Sequence, residues 1–572
     1  MSDEDWCSLL PDDSPFLRSN YVPLPSQERE MADMMQQEER EVKFCEEEIV
    51  SLRRSLENLE VRKHALEIDI GRRRAVISAQ RRVPTEVWEM IFSYCHDFFL
   101  EITDCVAVDH PRTISRVCWR WSDIVRNCPM LWSRIHLSID PPCFPENDIR
   151  VYLQNSRNHP LTIQLLARYD NLATSTASGF RALLQHSSRW RMLILVGHHV
   201  PYLDSTEIPS FSLPNLRFLI LDTLSCAKTN AQKWFWQALH DAPSLVAART
   251  FDLLPLLPYR QLTTLTIECY TGSPDDSNKL LAVLSACKKL RSLRLELEDR
   301  PRVSAGQPDP QPVEMPSLRF LLVSKKRDTI VDDSIDQFDI LSTLFARLRT
   351  PVLGRLNVYC EDTVGGWPST LSYMFRRSSP PLKYLTLYIK KFGVADSQLP
   401  LLDLLEPIPS LIDFQFVMSR NADDGGFSEQ PYGTLNTVTP FLSDFLLKLK
   451  QPSTSGSRFL SNLEFIDLCV NGVNLDAEAI NDVLQVAGSR TPTALAEVSY
   501  PMYPLTQFIF TRHPNEWQEG RKDAYEKSSF DPATLEALAD LEREGVKVEF
   551  IDSQYALSLN VSYGFLALRG ED

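Results

Sequence analysis

The sequence predicts an α/β protein with three parts: a long N-terminal helix, a small helical module and an α/β solenoid. Three observations support this prediction. Apolar residues between positions 42 and 77 recur at intervals of three and four, which is a helical period. Four Trp side chains crowd into residues 83–137, and beyond position 190 a short apolar phrase recurs about every 30 residues.

The composition excludes several classes of protein. Gly accounts for only 19 of 572 residues, so collagen-like and Gly-rich disordered chains are excluded. The formal net charge of −16 opposes binding to phosphate backbones, and we expect no nucleic-acid partner. No two of the twelve Cys lie three residues apart, which favours reduced thiols. The acidic start and the lack of a long apolar run predict no secretory signal, no membrane partner, and a cytoplasmic or nuclear location.

The first predicted element is a helix over residues 27–82, after a disordered tail at residues 1–26. No Pro occurs between Gln27 and Pro84. The stripe along this helix has eleven positions, of which nine are apolar or Cys: Val42, Cys45, Ile49, Leu52, Leu56, Leu59, Lys63, Leu66, Ile70, Arg73 and Ile77. A strand cannot produce this period, so the pattern predicts a coiled-coil stripe with two basic interruptions.

Charge is separated along the same helix. Residues 28–48 contain nine acidic and three basic side chains, whereas residues 53–82 contain four acidic and nine basic ones. This polarity suits the helix dipole, and it would also let two copies pair antiparallel. Three arrangements remain open: self-association through residues 38–80, docking on the rest of the chain, and a solvated stalk.

Residues 83–137 predict a small helical module that is unusually aromatic. Pro84 is tolerated in the first turn of its first helix. One face of that helix carries Val87, Met90, Ile91, Tyr94 and Phe98. A second helix repeats apolar residues from Ile114 to Val125 and stops at Pro129. A unit of roughly 50 residues cannot enclose so many large side chains, so we expect part of this surface to contact a partner.

Four sub-motifs of this module follow one another in the order found in the F-box. They lie in VPTEVWEMIF, ISRVCWRWSDIV and PMLWSRI, and Val83 stands where Leu is usual. Residues 83–137 therefore resemble an F-box, and the preceding helix and long tail are similar to a large family of fungal F-box proteins. The resemblance implies binding to the Skp adaptor subunit of a cullin-RING ubiquitin ligase. The adaptor-binding residues that it implies are Val83, Pro84, Glu86, Val87, Ile91, Phe92, Val117, Cys118, Trp121, Leu131 and Trp132.

Residues 138–572 carry the recurring phrase apolar-x-x-apolar-x-apolar. Its copies begin at Trp190, Leu216, Leu262, Leu290, Leu318, Leu353, Leu382, Leu411 and Leu463. Helical stretches such as NAQKWFWQALHDA, DSNKLLAVLSACKK and DQFDILSTLFARL separate the copies. One strand and one helix cannot bury an apolar face alone, so neighbouring units must stack. The pattern resembles a degenerate leucine-rich repeat, although the Asn or Cys expected after each strand is mostly absent.

The competing fold is a doubly wound α/β domain, which also alternates strands and helices. We favour the solenoid because the spacing is nearly constant and no Gly-rich phosphate loop occurs. The wide gaps after Leu216 and Leu411 predict degenerate units that the phrase does not detect. Segments 301–316, 419–434 and 451–458 predict loops that either contact a partner or are tolerated surface insertions.

The C-terminal segments VKVEFID and YALSLNVSYG predict a last pair of strands that caps the array. A cap is needed because an open repeat end exposes apolar surface.

No catalytic motif is found: GxSxG, HExxH, GxGxxG and a Walker-type GK[ST] are all absent. The paired residues His198–His199, Asp275–Asp276, Asp332–Asp333 and Asp423–Asp424 lack the spacing of metal ligands or of a hydrolytic pair. The sequence therefore predicts no enzyme, no cofactor and no metal site.

Two functions remain. In the first, the chain is a substrate receptor whose F-box-like module docks on the Skp adaptor while the array holds an unidentified substrate protein. In the second, it is a repeat scaffold that self-associates through its N-terminal helix without any role in a ligase. A hydrolase with an unrecognised site is a third class.

Overall fold

The computed structural model describes residue 22 and residues 24–95, 110–138, 146–167, 180–197, 211–222, 233–251, 253–254, 257–272, 274–299, 312–326, 340–360, 366–389, 401–418, 438–450, 459–471, 477–496, 503–513 and 531–552. The chain folds as two compact units, Met1–Tyr94 and Cys95–Asp572. This boundary falls inside the predicted module at residues 83–137.

The first unit is helical. Helix α1 (Pro25–Ile77) has 53 residues and begins two residues before the predicted start, with Pro at its first turn. It ends at Ile77 because Ser78 has an extended backbone (φ −56°, ψ 134°), and a 3₁₀ turn (Ala79–Arg82) follows. Helix α2 (Thr85–Cys95) comes next. The predicted disordered tail lies outside the described residues, apart from Val22 and residues 24–26.

The second unit opens with two short helices, α3 (His110–Ser115) and α4 (Trp119–Asn127), and a 3₁₀ turn (Pro129–Trp132). The Cys118 Sγ caps α4 by accepting a hydrogen bond from the backbone N–H of Trp121 at 3.5 Å. The turn leads directly into the first strand of the array.

In the described part of the chain the array has sixteen strands, of which fourteen form one sheet whose neighbouring pairs are all parallel. The strands are β1 (Arg134–Ser138), β2 (Leu161–Ala167), β3 (Trp190–Gly197), β4 (Phe218–Asp222), β5 (Ala247–Thr250), β6 (Thr264–Gly272), β7 (Ser292–Asp299), β8 (Val313–Glu314), β9 (Phe320–Lys326), β10 (Leu348–Arg349), β11 (Arg355–Cys360), β12 (Tyr384–Ile389), β13 (Asp413–Met418), β14 (Phe465–Asn471), β15 (Gln507–His513) and β16 (Lys547–Asp552). Strands β8 and β10 pair only with each other, in a separate ladder.

Helices alternate with these strands. They are α5 (Glu146–Asn155), α6 (Lys233–His240), α7 (Pro274–Ala286), α8 (Ile340–Arg347), α9 (Trp367–Ser378), α10 (Leu401–Leu405), α11 (Val438–Lys450), α12 (Ala477–Gly488), α13 (Pro492–Ala496) and α14 (Pro532–Arg543). Three of them, α6, α7 and α8, fall in the three stretches predicted to be helical. Apart from β8 and β10, the strands follow chain order across the sheet. A doubly wound domain would reverse its strand order, so the solenoid-like α/β fold is confirmed.

The recurring phrase marks the start of each repeat. In eight of its nine copies the first Leu lies two residues before a strand, as Leu290 precedes β7 and Leu353 precedes β11, and these leading Leu side chains are fully buried. Along β11 and β12, buried and more exposed residues alternate. The buried positions of neighbouring strands are in register, as Leu356 with Leu385, so their side chains form continuous core rows.

One of the two predicted hidden units is present. Strand β5, preceded by the buried Leu245, fills the gap after Leu216. The prediction for the gap after Leu411 is wrong, because β13 pairs directly with β14 and leaves no place for a strand between them. That interval instead contains α11.

The predicted cap is present in part. VKVEFID forms β16, which ends the sheet among the described residues, whereas YALSLNVSYG lies outside those residues. The loops predicted at 419–434 and 451–458 also lie outside them, and of 301–316 only residues 312–316, which contain β8, are described.

Candidate functional site

Helix α2 carries an apolar face that is exposed. Val87, Met90, Ile91 and Tyr94 lie at helical spacing and are 39%, 54%, 41% and 64% exposed. Pro84, just before the helix, is also exposed. Surface helices normally present polar side chains to water, so an exposed apolar face with this composition is a candidate surface for binding another protein.

The opposite face of α2 is buried. The rings of Trp88 and Phe92 lie 5.5 Å apart, and both side chains are buried. The indole Nε1 of Trp88 donates a hydrogen bond to the carbonyl of Gln80 at 3.4 Å, which ties α2 to the preceding 3₁₀ turn. The two aromatic rings therefore orient α2, and the predicted residue Phe92 has a structural position.

The second half of the predicted module, in the other unit, exposes a smaller apolar surface around the start of α4. Val117 is 60% exposed and Trp119 is 83% exposed, while Cys118 is exposed and Trp121 is half-buried. An indole that is almost fully in solvent is unusual for a large apolar side chain. The turn between α3 and α4 thus presents a second candidate contact point for a partner.

Leu131 and Trp132 are buried in the second unit. The Trp132 Nε1 donates a hydrogen bond of 2.8 Å to the carbonyl of Val125, and its ring meets the ring of Tyr152 on α5 edge to face at 5.2 Å. These contacts fix α4 on the first repeat of the array. A direct contact of either residue with an adaptor would require this packing to open.

The eleven predicted adaptor-binding residues therefore fall into three groups. Those that are exposed are Pro84, Glu86, Val87, Ile91, Val117 and Cys118; those that are half-buried are Val83 and Trp121; those that are buried are Phe92, Leu131 and Trp132. The sequence prediction missed Trp119, because it falls outside the i, i+3, i+4 repeat by which the second helix was identified. The sequence feature that could have identified Trp119 is its position two residues before Trp121, at the start of the helix.

On the array, the residues of strands β11 and β12 that alternate with the buried core rows lie on the other face of the sheet and are half-buried or exposed. In one row across it, Arg355, Tyr384, Asp413 and Phe465 are neighbours on successive strands. The Arg355 guanidinium lies 4.4 Å from the centre of the Tyr384 ring, and such a cation–π contact holds the cation in place. Aromatic, guanidinium and carboxylate groups of this kind are suited to recognition of a polypeptide.

Two carboxylates of this face are shielded from water. Burial, and then the negative charge of the nearby Asp413, raise the pKa of Asp467 to about 6. Burial also raises the pKa of Asp413, against the opposing effect of Arg355. The Oδ1 atom of Asp467 accepts no hydrogen bond from the described residues. A cationic group placed here would stabilise both carboxylates in their charged form.

A polar cleft of about 440 Å³ lies beside α5 and is lined by Arg150, Leu153, Gln154, Arg181, Ala182, Gln185 and His186. Burial, and then the charge of Arg189, lowers the pKa of His186. The cleft therefore presents two guanidinium groups beside an imidazole that is mainly neutral at pH 7.

Within the residues that the structure describes, no three His, Cys, Asp or Glu side chains group as metal ligands would. The pair Asp275–Asp276 lies at the start of α7. The pairs His198–His199, Asp332–Asp333 and Asp423–Asp424 lie outside the described residues. In the same described ranges, no helix combines the length and the apolar character needed to cross a membrane.

Comparison with known proteins finds no protein-family model and no curated protein that matches this chain.

Proposed function

We propose that the chain is a substrate-receptor subunit of a Skp-cullin-RING ubiquitin ligase. Its F-box-like residues would bind the Skp adaptor, and its repeat array would bind the substrate protein. The observation that carries the proposal is the apolar face of α2, on which Val87, Met90, Ile91 and Tyr94 are exposed together. Pro84, directly before this helix in the chain, is exposed as well. This face coincides with the first sub-motifs of the F-box resemblance.

The chemistry of this face fits a helix that binds in an apolar groove. Side chains at i, i+3, i+4 and i+7 are the anchors of such an interaction. Met and Tyr add contact area with adaptable or polar ends, which suits a protein interface. The opposite face, held by Trp88 and Phe92, would keep α2 rigid during binding.

The array supplies a surface for the substrate. The partly exposed face of its sheet combines Tyr359, Tyr384 and Tyr388 with the shielded carboxylates of Asp413 and Asp467. Aromatic rings beside carboxylates favour a substrate segment that contains Lys or Arg.

Such a receptor catalyses no reaction. It holds the substrate so that the lysines of that substrate are at high effective concentration near the charged conjugating enzyme. This role requires only two binding surfaces on one chain, which agrees with a chain in which we find no catalytic motif.

The proposal is tested by co-expression of the full chain with a Skp adaptor and measurement of co-purification. Ile91→Asp places a charge in the apolar face, and we expect the affinity of the chain for the adaptor to fall at least about 100-fold. Leu447→Asp is the matched control, because Leu447 is similarly exposed on α11 of the array, and binding should be unchanged. Failure of the unmodified chain to bind the adaptor, or equal binding by Ile91→Asp, would overturn the proposal.

A second candidate function is a self-associating scaffold without a ligase role. It is favoured by one observation, the apolar stripe of α1, none of whose residues is buried in the described part of the chain. Adaptor binding separates the two candidates, because a scaffold would retain its self-association and its array partner without capturing the adaptor.

A further inference from the structure

The stripe of α1 allows a heptad assignment. Counting from Val42, the a positions are Val42, Ile49, Leu56, Lys63, Ile70 and Ile77, and the d positions are Cys45, Leu52, Leu59, Leu66 and Arg73. All the apolar members of both sets are exposed on a continuous 53-residue helix. The exposed apolar stripe extends over about five heptads, and this length is sufficient for a stable coiled coil.

The residue types distinguish the possible arrangements. Val or Ile occupies four of the six a positions, whereas Leu occupies three of the five d positions. β-branched residues at a with Leu at d favour two parallel strands, because each fits the packing geometry of its own layer. A single Lys at an a position also limits the number of helices and fixes their register.

The flanking charges agree with a parallel pair. In that arrangement each g residue faces the e residue five positions later on the other helix. This places Glu48 opposite Arg53, Arg62 opposite Glu67, and Asp69 opposite Arg74, all of opposite sign. Glu41 opposite Glu46 is the one like-charged pair, and Ser55 opposite Glu60 is neutral.

Each of the two basic residues of the stripe forms an ion pair within its own helix. The Lys63 Nζ lies 3.8 Å from a carboxylate oxygen of Glu67, and an Arg73 guanidinium nitrogen lies 3.3 Å from one of Asp69. These ion pairs within the helix reduce the repulsion when two copies bring Lys63 to Lys63 and Arg73 to Arg73.

An antiparallel pair, which the separation of charge along the helix suggests, fits less well in detail. It would align either Cys45 with Ile70 or Cys45 with Ile77. The first register places Glu46 opposite Glu67 and Glu48 opposite Asp69; the second places Glu60 and Arg62 opposite their own copies. At these flanking positions each register has two different like-charged pairs, whereas the parallel arrangement has one, Glu41 with Glu46; in its core the parallel arrangement also places Lys63 and Arg73 opposite their own copies.

We propose that a second copy of this chain covers the stripe, and that the two α1 helices form a parallel, in-register, two-stranded coiled coil. The proposal does not depend on adaptor binding. If both hold, the assembled receptor presents two adaptor-binding surfaces and two arrays, and can engage a substrate at two points.

Cys45 reports the arrangement directly. It is an exposed free cysteine at a d position, so the parallel pair brings the two Cys45 side chains together across the interface. Oxidation of the full chain with copper–phenanthroline should give a dimer on a non-reducing gel, with Cys45 joined to Cys45 in the peptide map. Cys45→Ser should abolish that species. Adding Glu47→Cys to Cys45→Ser places the thiol on the outer side of the helix and should not restore it.

Solution mass supplies an independent measurement. We expect light scattering to give twice the chain mass, and Leu52→Glu with Leu59→Glu to weaken dimerisation at least about 100-fold. Ser51→Glu with Asn58→Glu adds the same charge on the outer side and should leave the dimer intact. Circular dichroism verifies that both double variants remain folded. A monomeric full chain means that α1 is solvated or covered by its own chain; a dimer without the Cys45 link means an antiparallel pair. Either result overturns the proposal.

Discussion

At the scale of single residues, the partly buried carboxylate of Asp467 lowers the stability of the folded chain when it is charged. Its carboxylate lies next to Gln415 in the register of β13 and β14, diagonal to Asp413. Burial and the neighbouring carboxylate both disfavour the charged form, so the pKa rises to about 6. The folded state therefore holds this proton more tightly than the unfolded chain does, and the stability contributed by the protonated form is lost as the pH rises from about 4 to about 6.

Asp467→Asn should accordingly stabilise the chain at neutral pH. The amide has the same shape without the charge, and we expect a gain of about 1 kcal/mol at pH 7.5 once solvent screening is allowed for. The gain should disappear near pH 4, where the wild-type carboxyl is protonated. Thermal melting at the two pH values measures both. Asp403→Asn, an exposed change on α10, is the control, and equal melting of wild type and Asp467→Asn at pH 7.5 would contradict the prediction.

At the scale of elements, three arginines join neighbouring repeats. Arg189, Arg377 and Arg490 donate hydrogen bonds to backbone carbonyls of His159, Ala346 and Leu460, which lie 30, 31 and 30 residues earlier. Each separation is about one repeat, so each guanidinium adds a hydrogen bond to a backbone carbonyl of the preceding unit. Charge-assisted bonds of this kind are stronger than neutral ones and align one unit on the next.

Arg490→Met tests this role. The fully buried Arg490 also donates to the carbonyl of Phe459 at 2.7 Å, and Met would leave both carbonyls without this donor. We expect a loss of about 2–4 kcal/mol in the free energy of unfolding, measured by chemical denaturation. Arg376→Met is the control, since the Arg376 side chain is exposed and lies in a surface ion pair with Glu406 at 3.6 Å; the substitution should change stability by less than about 0.5 kcal/mol. A similar effect of the two substitutions would contradict the assignment.

At the scale of the whole array, each repeat contacts mainly its neighbours in the sheet. Strand β16 is the terminal strand in the described part of that sheet and covers one edge of β15. Phe550 of β16 lies 6.4 Å, ring to ring, from Phe510 of β15, and α14 precedes β16 with Leu541 buried. Stability in such an array is close to a sum over repeats and interfaces, so the last repeat protects those before it.

Deletion of residues 531–572 should therefore expose the edge of β15. We expect the first calorimetric transition to fall by several degrees and dye binding to apolar surface to rise, while most of the array stays folded. Deletion of residues 553–572 alone keeps β16 and serves as the control. Identical melting of the two truncated chains would show that β16 does not cap the array.

Much of the fold was predictable because it depends on local spacing. The heptads of α1 and the leading Leu of each repeat are periodic signals, and the structure places a helix and buried strand starts at them. Strand β5 was predicted only as a gap, because its AART segment lacks large apolar residues. The prediction of a hidden repeat after Leu411 was wrong because β13 and β14 pair directly and the residues between them are an insertion. The length of an interval cannot by itself distinguish an insertion from a repeat.

The candidate site was less predictable from the sequence. The motif residues Ile91, Trp121 and Trp132 have the same apolar character, yet one is exposed, one half-buried and one buried. The Arg bridges and the shielded Asp467 left no signal in the sequence pattern. Period and composition are properties of neighbouring residues and suffice to determine helix, strand and repeat. Exposure, pKa and hydrogen-bond partners depend on atoms tens of residues away, which only the stacking of one repeat on the next brings into contact.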